Sequence, residues 1–164
     1  MTRLEGPLRQ ANPDFKKSYR KRFPFKLATT SFIYRDSYAP NVARLAPYFD
    51  EIELLFFDGA DPINLPDPFE IKTLAEHARS HDITYNVHLP TDVSLTDPIS
   101  ENRELAMEAI RRVVEAVNPL SPASYTLHLA PPPPSLPSDQ RNRLRSETAT
   151  AIRMLLERTR LLPS

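Results

Sequence analysis

The chain has 164 residues, with 21 basic and 21 acidic side chains and no net formal charge. That length suits one domain with a real core, and 40% hydrophobic with 26% charged residues describes a folded chain, not a disordered one. The charge balance makes no case for nucleic acid or membrane as partner. The absence of cysteine excludes disulfides and thiolate-bound zinc.

No apolar run approaches the ~20 residues of a membrane helix, and the first residues lack the apolar core of a signal peptide. A cytoplasmic location is the expectation. Proline occurs 18 times and glycine twice. Turns that usually take glycine at positive φ must then be made with Pro, Asp, Asn and Ser.

Residues 1–24 form a basic arm, with Arg3, Arg9, Lys16, Lys17, Arg20, Lys21 and Arg22 against Glu5 and Asp14. A solvated terminus is the first reading and an anion-binding arm the second. Residues 25–162 are expected to form the folded domain. Phe25–Phe32 reads as a short strand running into the hydroxyls of Thr29, Thr30 and Ser31. Asn41–Phe49 is a short helical stretch with Val42, Leu45 and Ala46 on one face. Glu51–Gly59 is a second strand, and its nearly continuous run of Ile52, Leu54, Leu55, Phe56 and Phe57 predicts burial on both faces.

A helix over Asp67–His81 has a clear start: Asp67 as N-cap, Pro68 as first helical residue and Glu70 as the reciprocal capping carboxylate. Its apolar stripe is Ile71, Leu74, Ala75 and Ala78. Ile83–Leu89 is the third strand. Ser100–Val117 is the strongest helix, with Leu105, Ala109, Ile110, Val113, Val114 and Val117 on one face and Asn118-Pro119 as its stop. Ser124–Ala130 is the fourth strand. A proline-rich connector follows, and Ser138 begins a last helix.

Strands alternating with helices predict parallel strands joined by right-handed crossovers. A doubly wound nucleotide-binding sheet would want a glycine-rich turn after the first strand, and Thr29-Thr30-Ser31-Phe32 has none. A (β/α) barrel of the TIM type fits better. A full barrel takes about 250 residues, so four βα units make half of one.

Barrel chemistry sits at the C-terminal ends of the strands. Those ends carry Thr30, Ser31 and Tyr34, then Asp58, then His88 with Thr91 and Asp92, then His128. Neighbouring strands lie about 4.8 Å apart. Two imidazoles at matching ends of adjacent strands can therefore converge on one divalent ion, which neutral imidazole suits. His88 and His128 are the metal candidates. Glu53, inside the second strand, is either a further ligand lining the barrel or the partner of a lysine. His77 and His81 stand four residues apart on the second helix and read as surface histidines. Asp58 and Asp92 suit turns as well as substrate contacts. Phe32, Tyr34 and Tyr38 form a candidate aromatic wall.

The "HLP" after the third strand and the "LHLAP" at the fourth resemble the xylose-isomerase-like barrel superfamily, which includes endonuclease IV-type phosphodiesterases and sugar isomerases and epimerases. Over roughly residues 19–130, the "TTSFIY…NV" and "VHLPTD" stretches resemble the cobamide-remodelling phosphodiesterases. That resemblance implies a hydrolase that opens the nucleotide loop of a corrinoid and releases cobinamide phosphate. It implies a Zn or Mn ion on His88 and His128, and substrate contacts from Thr30, Ser31, Tyr34 and Asp92. A glutamate is expected in relatives where Asp58 stands.

The resemblance also implies a C-terminally truncated barrel: a fragment of a longer product, a degenerate remnant, or a half-barrel that completes itself by association, whose isolated monomer is expected to be inactive or feeble. The alternatives are a sugar or sugar-phosphate isomerase or epimerase on the same scaffold, and a non-catalytic half-barrel that binds a corrinoid or a partner chain.

Overall fold

The computed structural model describes residues 15–57 and 65–159. Four parallel strands form one sheet in the order β1 (Ala28–Thr30), β2 (Glu51–Leu55), β3 (Thr84–His88) and β4 (Ser124–Thr126). Four helices alternate with them: α1 (Tyr38–Leu45), α2 (Pro68–His81), α3 (Ser100–Val117) and α4 (Ser138–Thr159). The strand order never reverses. With right-handed crossovers, that places successive helices on one side of the sheet. A doubly wound sheet would reverse its order at a switch point. The architecture is half of a (β/α) barrel.

The side chains divide accordingly. Ile52, Leu54 and Phe56 from β2 and its end, with Tyr85, Val87 and Leu89 from β3 and its end, are buried in the sheet–helix layer. They meet Val42, Leu45 and Ala46 of α1, Leu74 of α2, and Ala106, Ile110, Val113, Val114 and Val117 of α3. The opposite face is polar. Register aligns Thr30, Glu53, Asn86 and Ser124 in one row, and Leu55, His88 and Thr126 in the next.

The second strand is therefore not buried on both faces, as its composition suggests. Glu51, Glu53 and Leu55 are only half-buried. They line the concave face, which in a whole barrel is the lumen.

Local chemistry sets the element boundaries. Helix α1 begins three residues earlier than its apolar pattern implies. Pro40 falls within its first turn, where a backbone N–H is not required. The edge strands β1 and β4 have three residues each, since each has a partner on one side only. Asp67 caps α2 by accepting from the Glu70 N–H at 2.7 Å, as the sequence predicts. Glu70 does not reach back, however. Its carboxylate accepts from the Ala39 N–H at 2.9 Å, so the first turn of α1 is satisfied by a side chain of α2.

In α3, Leu105 is 66% exposed and Ala106 takes its place in the core. One residue turns the helix by about 100°, and the stripe through Ala109, Val113 and Val117 runs over Ala106. Among the described residues, which include neither Gly6 nor Gly59, the left-handed ones are Lys21, Asp82 and Ser121. Asp82 ends α2 at φ 52°, as expected of a chain poor in glycine. No helix among the described residues is long and apolar enough to cross a membrane.

Candidate functional site

The ends of β3 and β4 converge. His88 closes β3, and His128 lies two residues beyond β4. Their Nε2 atoms stand 3.2 Å apart and their rings 4.8 Å centroid to centroid. His88 Nδ1 lies 3.0 Å from the Leu89 carbonyl oxygen. Such a contact holds the proton on Nδ1 and leaves the Nε2 lone pair facing His128.

Two nitrogens bound to one zinc at ~2.0–2.1 Å in a tetrahedral array lie about 3.3 Å apart. The pair therefore fits two sites of one ion, with the His88 tautomer already set. Among the described residues, no group of three or more His, Asp or Glu side chains is placed to hold a metal. Glu53 stands in register with Asn86, two residues before His88. That puts it one row lower on the same face, about 6.6 Å along the strand. It faces the pair from below rather than joining it. The lysine partner considered for it goes instead to Glu51, with Lys26 Nζ 3.8 Å from that carboxylate.

The remaining candidates separate. Ser31 is 4% exposed; its N–H donates to the Glu53 carbonyl and its hydroxyl accepts from the Leu55 N–H. It joins β1 to β2. The Thr30 hydroxyl accepts from the Phe32 N–H at 3.3 Å. Tyr34 is buried in the core under the Arg44 guanidinium, 5.0 Å from its ring. Tyr38 donates its hydroxyl to the Leu55 carbonyl. Burial, and then the nearby Glu70 charge, raise its pKa far above that of a free phenol.

The three-ring wall thus resolves to one member. Phe32 remains 69% exposed and meets Phe57 edge-on at 5.9 Å, at the C-terminal ends of β1 and β2. Phe57, which the sequence hides inside an apolar run, thus stands beside Phe32 at this end of the sheet. Asp92 is exposed on the loop after β3. Asp58 lies outside the described residues. His77 and His81 sit on α2, their rings 6.0 Å apart. Burial, then His81, lower the His77 pKa against the raising effect of Glu76.

One residue that sequence reading passed over organises the site. Asn41 is fully buried in α1. Its Oδ1 accepts from the Tyr34 N–H at 2.9 Å. Its Nδ2 donates to the carbonyls of Tyr34, Asp36 and Ser37 at 3.2, 3.0 and 3.0 Å. The loop that carries Phe32 is closed around this one amide. The signal was available: an asparagine inside an otherwise apolar helical face.

The unreversed sheet defines one half of an α/β barrel, with the histidine pair at the C-terminal ends of its strands. Solved structures agree. The fold matches a D-tagatose 3-epimerase-like protein at 21% identity and TM-score 0.64, covering 82% of this chain and 50% of that one. It also matches apo 3-keto-D-glucoside 4-epimerase YcjR from E. coli at 17% identity and TM-score 0.54, covering 81% and 51%. The chain spans about half the length of these structures. No family model matches it, and no curated protein matches it in sequence.

The fold is half of a (β/α) barrel, as the alternation of strands and helices implies. The cobamide phosphodiesterase reading is corrected: the neighbours are named as sugar epimerases, which favours the isomerase or epimerase alternative over a hydrolase. The physical reason lies in the motifs: two imidazoles at adjacent strand ends fit a divalent ion whether it serves hydrolysis or isomerisation, so they do not select the substrate.

Proposed function

We propose that the chain supplies half of the catalytic face of a metal-assisted sugar isomerase or epimerase. The observation that carries this is the 3.2 Å approach of His88 Nε2 and His128 Nε2 at the ends of adjacent strands. His88 and His128 would hold the divalent ion, zinc or manganese, with Glu53 facing it from the row below. When bound, the ion polarises the substrate's carbonyl and neighbouring hydroxyl oxygens, which acidifies the carbon between them.

The chain's own residues bind and orient. The exposed face of Phe32, braced by Phe57, suits the apolar C–H face of a sugar ring or chain. Ser31 and Thr30, engaged with backbone, fix the loop that carries it. Asp92, exposed on the loop after β3, would accept from a sugar hydroxyl. Proton abstraction next to a carbonyl needs a base within ~3 Å of that proton. The concave face offers Glu53 for this role. Two histidines leave positions on the ion for other donors, so turnover is expected from a closed barrel, formed by a second copy or by a companion half.

The test is exchange. Incubated in D2O with Mn2+ and a ketohexose, the protein is expected to place deuterium on the carbon beside the carbonyl, read by proton NMR. The exchange should vanish in His88→Ala and His128→Ala. A folded, metal-loaded assembly that exchanges no ketose or keto-sugar tested would refute the proposal.

A further inference from the structure

The opposite end of the sheet carries a second surface, unrelated to sugar chemistry. Residues 15–26, ahead of β1, hold six cations and no acid. Three of the cations are engaged locally. Arg20 donates to the carbonyls of His81 and Asp82 and so caps the C-terminus of α2. Lys21 pairs with Asp82, and Lys26 bonds to the Thr84 hydroxyl at 3.0 Å. The segment is also pinned to the sheet by Asp50, whose two carboxylate oxygens accept from the Lys21 and Leu27 N–H groups, each at 2.9 Å. Lys16, Lys17 and Arg22 are exposed, and none has an ion pair among the described residues.

Between these cations stand three aromatic rings in a ladder. Phe23 and Phe25 stack at 5.1 Å with an interplanar angle of 7°, and Tyr19 joins Phe23 at 6.5 Å and 24°. Lys17 Nζ lies 5.1 Å over the Tyr19 ring. All three rings are exposed, Phe25 most of all at 61%. Pro24 holds Phe23 and Phe25 two residues apart in restricted backbone, so the stack exists before any ligand arrives. Water is a poor partner for such rings, and the core beneath does not use them.

We propose that this ladder binds single-stranded nucleic acid. The open face of Phe25 continues the stack with a base, and Lys16, Lys17 and Arg22 meet the phosphates. Stacking plus unpaired cations is the chemistry by which single strands are held without sequence preference. Binding in the plane of a bilayer is the work of an amphipathic helix, and residues 15–26 form none. The whole-chain charge of zero conceals the site: Asp50, Asp82 and Glu51 engage Lys21, Lys26 and the backbone of the segment, which leaves Lys16, Lys17 and Arg22 for a ligand.

The experiment is fluorescence anisotropy of the full chain with a labelled dT12 oligonucleotide between 50 and 200 mM NaCl, beside cosedimentation with phosphatidylserine vesicles. Three phosphate contacts predict a log K against log salt slope of about −2. Phe25→Leu, which keeps an apolar side chain but removes the ring, is expected to weaken binding about tenfold. Lys16→Gln with Lys17→Gln should reduce the slope to about −0.7. The proposal is overturned by no saturable binding at 50 mM NaCl, by binding that neither variant changes, or by binding to vesicles but not to the oligonucleotide.

Discussion

Replacing Asn41 by alanine removes four hydrogen bonds from the centre of the β1–α1 loop. Two of the abandoned carbonyls keep backbone partners: Tyr34 accepts from the Asp36 N–H, and Ser37 from the Asn41 N–H. The Tyr34 N–H, bonded to the Asn41 side chain inside the core, loses that acceptor. An unpaired buried group costs about 1–3 kcal/mol and each ordinary hydrogen bond about 1 kcal/mol, so the expected loss is about 2–4 kcal/mol. Urea unfolding measures it as a lower midpoint with an unchanged slope. Asn41→Asp is the informative control. It keeps the acceptor for the Tyr34 N–H but aims a carboxylate at three carbonyls, and should be no more stable than the alanine variant. A loss below about 0.5 kcal/mol for Asn41→Ala, or wild-type stability in Asn41→Asp, would refute the reasoning.

Three further outcomes follow from the same contacts. Tyr85 donates its buried hydroxyl to the Leu74 carbonyl at 2.7 Å, so Tyr85→Phe should lower stability by about 1–2 kcal/mol in urea unfolding. Glu70→Ala, which frees the Ala39 N–H at the start of α1, is expected to cost about 1 kcal/mol, as loss of a cap does. His77 has its pKa lowered in the folded state, chiefly by burial. The unfolded chain therefore takes up the proton first, and stability is lost as pH falls from the ordinary histidine range, about 6.5, through the lower folded value. His77→Gln should lose less stability than wild type between about pH 7 and 5, as thermal unfolding across that range would show.

The barrel was legible because its signals are local and repeated. Four apolar strands alternate with helices whose stripes and stops are written in Asp67-Pro68 and Asn118-Pro119. The histidine pair was legible because matching strand ends in a parallel sheet are matching places in space. Other features depend on partners distant in sequence. Glu70 looks like a capping box for its own helix, yet it serves α1, 31 residues away. Tyr34 and Phe32, two residues apart, differ in burial because the loop folds around Asn41. The continuous apolar run of β2 hides a one-sided strand, since Leu55 and Phe57 are apolar residues on the open side. Substrate class was the least legible, because a strand-end histidine pair suits a divalent ion in hydrolysis and in isomerisation alike.

The account rests on His88 and His128 sharing one ion. Isothermal titration of the full chain with Mn2+ or Zn2+ tests this most directly. It should show saturable binding at one ion per histidine pair, lost in both His88→Ala and His128→Ala and retained in His77→Ala. Binding that survives either of the first two substitutions, or that disappears in His77→Ala, would contradict it.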